Sequence, residues 1–217
     1  MILAQAIVRI LFVGNSLTYT NDLPSLVSEI GALDGVEIIS KTIAYPDYSL
    51  DDHLNNGTIQ EAFDQEKFDF VIAQQGPSTL PESQALLKQS AIRVAKLCRS
   101  RKAVPGLYMV WPELARDFSR DDCIASYTKA AKASGALLCP AGLAWKLAWQ
   151  EDPGLPFYGP DKFHPGIHGS VLAAMVIYAS IKGKKDLDFI TTSKWKQVSD
   201  TQLGMMKSAA IKSLTAP

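Results

Sequence analysis

Near opposite ends of this 217-residue chain, a serine and an aspartate-histidine pair stand in settings suited to nucleophilic catalysis. Ser16 lies in Gly14-Asn15-Ser16-Leu17, directly after an apolar run from Ile7 to Val13, and His164 lies in Asp161-Lys162-Phe163-His164-Pro165. A serine hydroxyl is a weak nucleophile until an imidazole takes its proton. The imidazole in turn needs a carboxylate that fixes its tautomer and stabilises its charged form. An aspartate three residues before the histidine lets one loop present both. A serine between a strand and a helix start also lies among backbone N–H groups without intrahelical partners, which suit a developing oxyanion. Taken alone, however, a serine after a strand more often caps a turn.

The histidines allow a second reading, in which Asp161, His164 and His168 bind a metal, because positions 164 and 168 would share a helical face. Pro165 weighs against it: proline favours the first helical position and pushes the preceding residue out of helical geometry. The triad reading is therefore preferred, with no metal and no cofactor. His53, in Leu50-Asp51-Asp52-His53, reads as structural or pocket-lining. Cys98, Cys123 and Cys139 form no CxxC pair and are odd in number, so neither a disulfide framework nor a zinc site is indicated.

The elements that must position these groups follow from patterning. Strands are expected at Ile7 to Val13, Val36 to Thr42, Phe68 to Ala73, Val104 to Trp111 and Ala136 to Cys139, each short and apolar. Helices are expected over Pro24 to Ile30 (with Asn21 or Asp22 as N-cap), Pro81 to Leu97, Asp122 to Ala133, Gly166 to Ile181 and Thr201 to Leu214. Glu151 to Pro165, rich in proline and glycine, is expected to be mostly loop. Alternating strands and helices without repeats or linkers predict a single domain over residues 1–217, built on a parallel sheet covered on both faces. Ligands of such sheets bind at the carboxyl ends of the strands, where both Ser16 and the segments after the third and fourth strands fall.

With Gly14-Asn15-Ser16-Leu17 after the first strand and Asp161-x-x-His164-Pro165 near the end, the chain resembles the SGNH, or GDSL-type, hydrolase superfamily. The resemblance implies a flavodoxin-like, three-layer α/β/α sandwich of about five parallel strands, with Ser16 as nucleophile and oxyanion donor, His164 as base and Asp161 as its orienter. The family's second block offers a glycine N–H and its third an asparagine side chain in Gly-x-Asn-Asp; this chain matches neither cleanly. After the second strand it has Ala44-Tyr45-Pro46-Asp47-Tyr48-Ser49, where Asp47 can give its backbone N–H, although a carboxylate there repels an oxyanion unless turned away. After the third strand stands Gln74-Gln75-Gly76-Pro77-Ser78. Ser78 takes the asparagine position if the glycines are aligned, and Gln74 or Gln75 reaches the cleft if the strand ends are. Whether these glutamines donate or only shape the loop stays open. Trp111, at the end of the fourth strand, is a candidate wall of the acyl or alcohol pocket, with burial in the core as its alternative.

The implied activity is metal-independent hydrolysis of carboxylic esters through an acyl-enzyme. A chain this short has little room for a lid, which predicts short acyl groups, acetyl to butyryl, on a small alcohol or a sugar. A catalytically weak or inactive relative that binds carbohydrate is the alternative, motivated by the departures at Pro46-Asp47 and Gln74 to Ser78. A flavodoxin-type redox domain would want a phosphate-cradling loop after the first strand, and the sequence offers none that convinces. A formal net charge of +0 provides no basic field for nucleic acid. No apolar run reaches the ~18 residues of a membrane span. Met1 to Ala6 reads equally as the stump of an export signal or as an ordinary extension, so secretion and a cytoplasmic location stand level. The oligomeric state is not legible.

Overall fold

The computed structural model describes residues 6–215. Five of the six residues in the Met1 to Ala6 segment therefore lie outside the described part. The strands are β1 (Ala6–Gly14), β2 (Val36–Ala44), β3 (Phe70–Ala73), β4 (Val104–Tyr108) and β5 (Leu137–Cys139). The helices are α1 (Ser16–Tyr19), α2 (Leu23–Leu33), α3 (Leu50–Asn55), α4 (Thr58–Gln65), α5 (Pro81–Ser100), α6 (Arg120–Ser134), α7 (Ala141–Glu151), α8 (Ile167–Lys182) and α9 (Asp200–Thr215). A 3₁₀ turn, Leu114–Ser119, joins the β4 segment to α6.

All strand pairs are parallel, in the order β2-β1-β3-β4-β5. The chain runs outward from β1 to β2 and then returns to the other side of β1 for β3. That reversal makes the β1/β3 edge the topological switch point of a flavodoxin-like sheet. Helices cover both faces: α5 packs between α3 and α6 on one side, while α2, α8 and α9 pack together on the other. Ile10, Leu11, Phe12 and Val13 are all fully buried, as expected for a central strand sandwiched between two helical layers.

Four helices exceed the sequence expectations: the one-turn α1, then α3, α4 and α7. Helix α3 is only six residues long and is started by a capping box between Ser49 and Asp52, and α4 follows almost at once after Gly57. Helix α7 is rich in alanine and tryptophan, so it carries only a weak polar face. Strand β4 ends at Tyr108, ahead of the expected Trp111. Gly31 lies in the last turn of α2, where a Cβ would approach the Ile38 side chain at 2.7 Å. All three cysteines are free and buried, and burial pushes each thiol up to about 12.

Candidate active site

Strand β1 ends at Gly14, and a tight turn carries the chain into α1 with Ser16 as its first residue. Asn15 makes the turn: its side-chain oxygen accepts the Leu17 N–H at 3.1 Å, and its Nδ2 donates to Tyr48 O at 3.1 Å. Gly14 is required by close approach, because a Cβ there would lie 2.4 Å from both Gln74 Oε1 and Thr18 Oγ1. Ser16 itself is half-buried. At the first position of α1, its N–H has no intrahelical partner.

The loop between α7 and α8 carries the other two groups. Asp161 Oδ1 accepts the N–H groups of Phe163 and His164 at 3.1 and 3.0 Å, while Oδ2 lies 2.5 Å from His164 Nδ1. One carboxylate thus shapes the turn and fixes the imidazole. The hydrogen bond from His164 and those from the two backbone N–H groups hold the Asp161 carboxyl below its ordinary 3.8, so it is ionised at neutral pH. In the neutral tautomer that donates Nδ1–H to Asp161, the lone pair lies on Nε2. That nitrogen is shielded from solvent and has no hydrogen-bond partner, so it is not bonded to the Ser16 hydroxyl in this conformation.

Four consecutive carbonyls hold the loop in place, each bonded to a different group. Lys162 O accepts Leu114 N–H at 2.8 Å, Phe163 O accepts Trp111 Nε1–H at 3.2 Å, His164 O accepts Gly159 N–H at 2.7 Å, and Pro165 O accepts Asn21 Nδ2–H at 2.8 Å. The last bond ties the histidine loop to the serine segment. Asn21 follows Ser16 by five residues just beyond the carboxyl end of β1, so the bond ties the histidine loop to that edge of the sheet.

No family model matches the sequence, and no curated protein does either. Solved structures do. A protein of Slackia heliotrinireducens assigned to the SGNH hydrolases superposes with a TM-score of 0.69 at 27% identity, over 81% of this chain and 99% of that one. A DUF4886 family protein from Bacteroides uniformis gives 0.81 at 18% identity, over 97% of this chain and 96% of that one. An acetyl-xylooligosaccharide esterase from Geobacillus, as an arginine-to-alanine mutant, gives 0.62 at 14% identity, over 80% of this chain and 93% of that one. The fold is that of the SGNH hydrolases.

Against the SGNH pattern, the structure turns the side chains of the third block inward. Gln74 is fully buried: its Oε1 accepts Asn15 N–H at 3.0 Å and Thr18 Oγ1–H at 2.8 Å, and its Nε2 donates to Gln75 O at 2.6 Å. It ties β3 to the serine turn and does not line the cleft as an oxyanion donor. Gln75 accepts Leu50 N–H at 3.3 Å and donates to Ser78 Oγ at 3.1 Å, and the Ser78 hydroxyl donates to Gly76 O at 2.9 Å. Tyr127 closes this network by donating its hydroxyl to Gln75 O. Buried amides shielded from water must find partners within the protein, which explains this inward turn. Ser78 borders a cavity of about 270 Å³ beside the histidine loop, whose walls include Pro77, Leu80, Pro112, Glu113, Arg116 and Phe163 but neither Ser16 nor His164.

Asp47 occupies the third position of a turn from Tyr45 to Tyr48 that has Pro46 at its second position, and its φ of 61° is the left-handed value such a turn demands. Its side chain is exposed. The pocket-wall role for Trp111 is corrected: the indole is fully buried, stacked on Trp145 with ring centroids 3.4 Å apart, and it acts on the site through Phe163 O. His53 is structural. Fully buried, it bonds Gly14 O through Nε2 at 2.8 Å and Thr58 Oγ1 through Nδ1 at 3.0 Å. His168, on α8, pairs with Gln202 of α9 at 3.2 Å. The residue that sequence reasoning undervalued is Asn21, read only as a helix cap. Its position between the serine motif and a proline-started helix was the available signal.

Proposed function

We propose that the chain hydrolyses short-chain carboxylic esters, acetyl to butyryl, through an acyl-enzyme on Ser16. The observation that carries this reading is the His164 ring, held by Asp161 at Nδ1 and unpartnered at Nε2, on a loop bonded to the Ser16 segment through Asn21. In this scheme Nε2 takes the Ser16 proton as the hydroxyl oxygen attacks the acyl carbon. The imidazolium, steadied by Asp161, then protonates the departing alcohol. A water activated by the same nitrogen releases the acid. Oxyanion stabilisation falls to backbone donors, Ser16 N–H and Asp47 N–H, since the third-block side chains are engaged elsewhere. Losing one side-chain donor typically costs ~10² to 10³ in rate, so a slow esterase is expected. The cavity of about 270 Å³ beside the loop is lined by Phe163 but by neither Ser16 nor His164, so it is assigned to a part of the substrate beyond the reacting ester.

Fluorophosphonate labelling tests the nucleophile. A covalent adduct on Ser16, lost in both Ser16→Ala and His164→Ala, supports the enzyme. A second reading, a carbohydrate-binding relative without turnover, draws on the inward-turned third block, and a folded protein that never reacts would favour it. Nitrophenyl esters of graded length test the acyl preference; a maximum at ten or more carbons would contradict it.

A further inference from the structure

A second cleft, of about 410 Å³, is lined by the end of the 3₁₀ turn Leu114–Ser119, the start of α6 and the face of α7 that carries Lys146 and Trp149. The two clefts are neighbours: Arg116 lines the first and Asp117 the second. Phe118, in the wall of the second, is 85% exposed, which leaves most of an aromatic ring in water. Beside it, Arg120 is only 6% exposed; it pairs with Asp117, lies over the Trp149 ring at 4.5 Å, and leaves Nη1 without a partner. Lys146 pairs with Asp121 at 2.5 Å, and Gln150 completes the wall.

We propose that this second cleft binds neutral sugar units of a glycan whose ester group lies at Ser16. Its walls carry two cations and two carboxylates, already paired, so they offer no net charge. Each cation's attraction for a free anion is offset by its paired carboxylate, and each carboxylate's attraction for a free cation by its paired cation. A neutral polyol needs no net charge and can use the unpartnered Arg120 Nη1 as a donor. Its hydroxyls accept from guanidinium, ammonium and amide groups and donate to carboxylates, while the C–H face of the ring covers Phe118. Four charged side chains in the wall disfavour an acyl chain. Arg120, fixed by Asp117 and Trp149, is ordered in advance and loses little freedom on binding. The volume lies within the ~300–1,000 Å³ range of small-molecule sites.

The link to ester cleavage rests on the proposed role of Ser16; the sugar binding does not, and the test separates them. Full-length protein is titrated by calorimetry with unesterified xylo-, cello-, manno- and chitohexaose up to 10 mM. Binding of at least one is expected, weakened about five- to tenfold in Phe118→Ala, restored in Phe118→Trp and unchanged in the remote surface control Ile92→Ala. With the acetylated form of the hexaose that binds, Phe118→Ala is expected to raise KM by a similar factor, leaving nitrophenyl acetate hydrolysis unchanged. Binding without hydrolysis of any ester would retain the sugar site and refute the esterase. Hydrolysis of nitrophenyl acetate with no binding of any hexaose, or with binding indifferent to Phe118→Ala, would overturn the sugar site and leave the esterase standing.

Discussion

Asn21 donates its side-chain amide to Pro165 O at 2.8 Å, bridging the segment that starts at Ser16 and the loop that ends at His164. The same amide donates to Ser170 Oγ at 2.9 Å, and the residue sits at φ 55°, a backbone region that asparagine tolerates better than most. Nothing else in the serine segment reaches this loop with a side-chain hydrogen bond among the described residues. Asn21→Gly keeps the backbone conformation and removes both bonds, and Asn21→Asp keeps the shape but cannot donate. Each is expected to lower kcat by about tenfold or more, because small misplacements of reacting groups are costly. Stability is expected to fall by only about 1–2 kcal/mol. Parallel ester kinetics and urea unfolding would check this; wild-type kcat in both variants would show that the bridge does not align the site.

Asp161 performs two tasks with two oxygens, and Asp161→Asn cannot satisfy both. If its oxygen faces the Phe163 and His164 N–H groups, its NH₂ meets Nδ1 and forces the wrong tautomer; if it flips, NH₂ faces two backbone donors. A loss of about 10⁴ in kcat is expected for the first arrangement, with activity still above that of Ser16→Ala or His164→Ala. Single-turnover acylation with nitrophenyl acetate would measure it. An Asp161→Asn enzyme within tenfold of wild type would remove Asp161 from the mechanism.

The parts of the site legible in the sequence were those governed by local rules. An apolar run ending in Gly14-Asn15-Ser16 marks the end of a buried strand, and Asp161 three residues before His164 marks a self-contained turn. The parts that were not legible depend on tertiary burial. Gln74 looks like a free donor until β1 and β3 pair and place its oxygen on Asn15 and Thr18. Trp111 looks like a pocket wall until α7 brings Trp145 against it, and α7 itself was missed because it lacks a clear polar stripe. Hydrophobic patterning reports which face is buried, not which partner a buried amide or indole finds.

His53 ties stability to pH. Burial holds its pKa below the ordinary 6.5, with the Gly14 carbonyl and Asp52 opposing that shift. The unfolded state therefore binds more protons than the native state once pH falls below about 6.5, and ΔG of unfolding declines until pH passes the lowered native value. Stability is full above this window and lost through it, with a slope of up to about 1.4 kcal/mol per pH unit from this one group. Urea unfolding at pH 7.5, 6 and 5 would reveal the slope, and His53→Gln should flatten it. An unchanged slope in the variant would assign the acid sensitivity to other groups.

Trp111 offers a way to separate packing from positioning at the histidine loop. Trp111→Phe keeps an aromatic ring against Trp145 but deletes the Nε1–H that Phe163 O accepts, leaving one of the four consecutive loop carbonyls without its partner. That loss is expected to cost about 1–3 kcal/mol of stability. It should also lower kcat several-fold with KM nearly unchanged, since the neighbouring His164 ring loses a restraint while the cleft walls stay in place. Trp111→Ala also opens a cavity in the aromatic cluster and should cost about 3–5 kcal/mol. If Trp111→Phe lost stability yet kept wild-type kcat on nitrophenyl acetate, the indole would be a packing element alone, and the remaining three carbonyl bonds would suffice to hold the base.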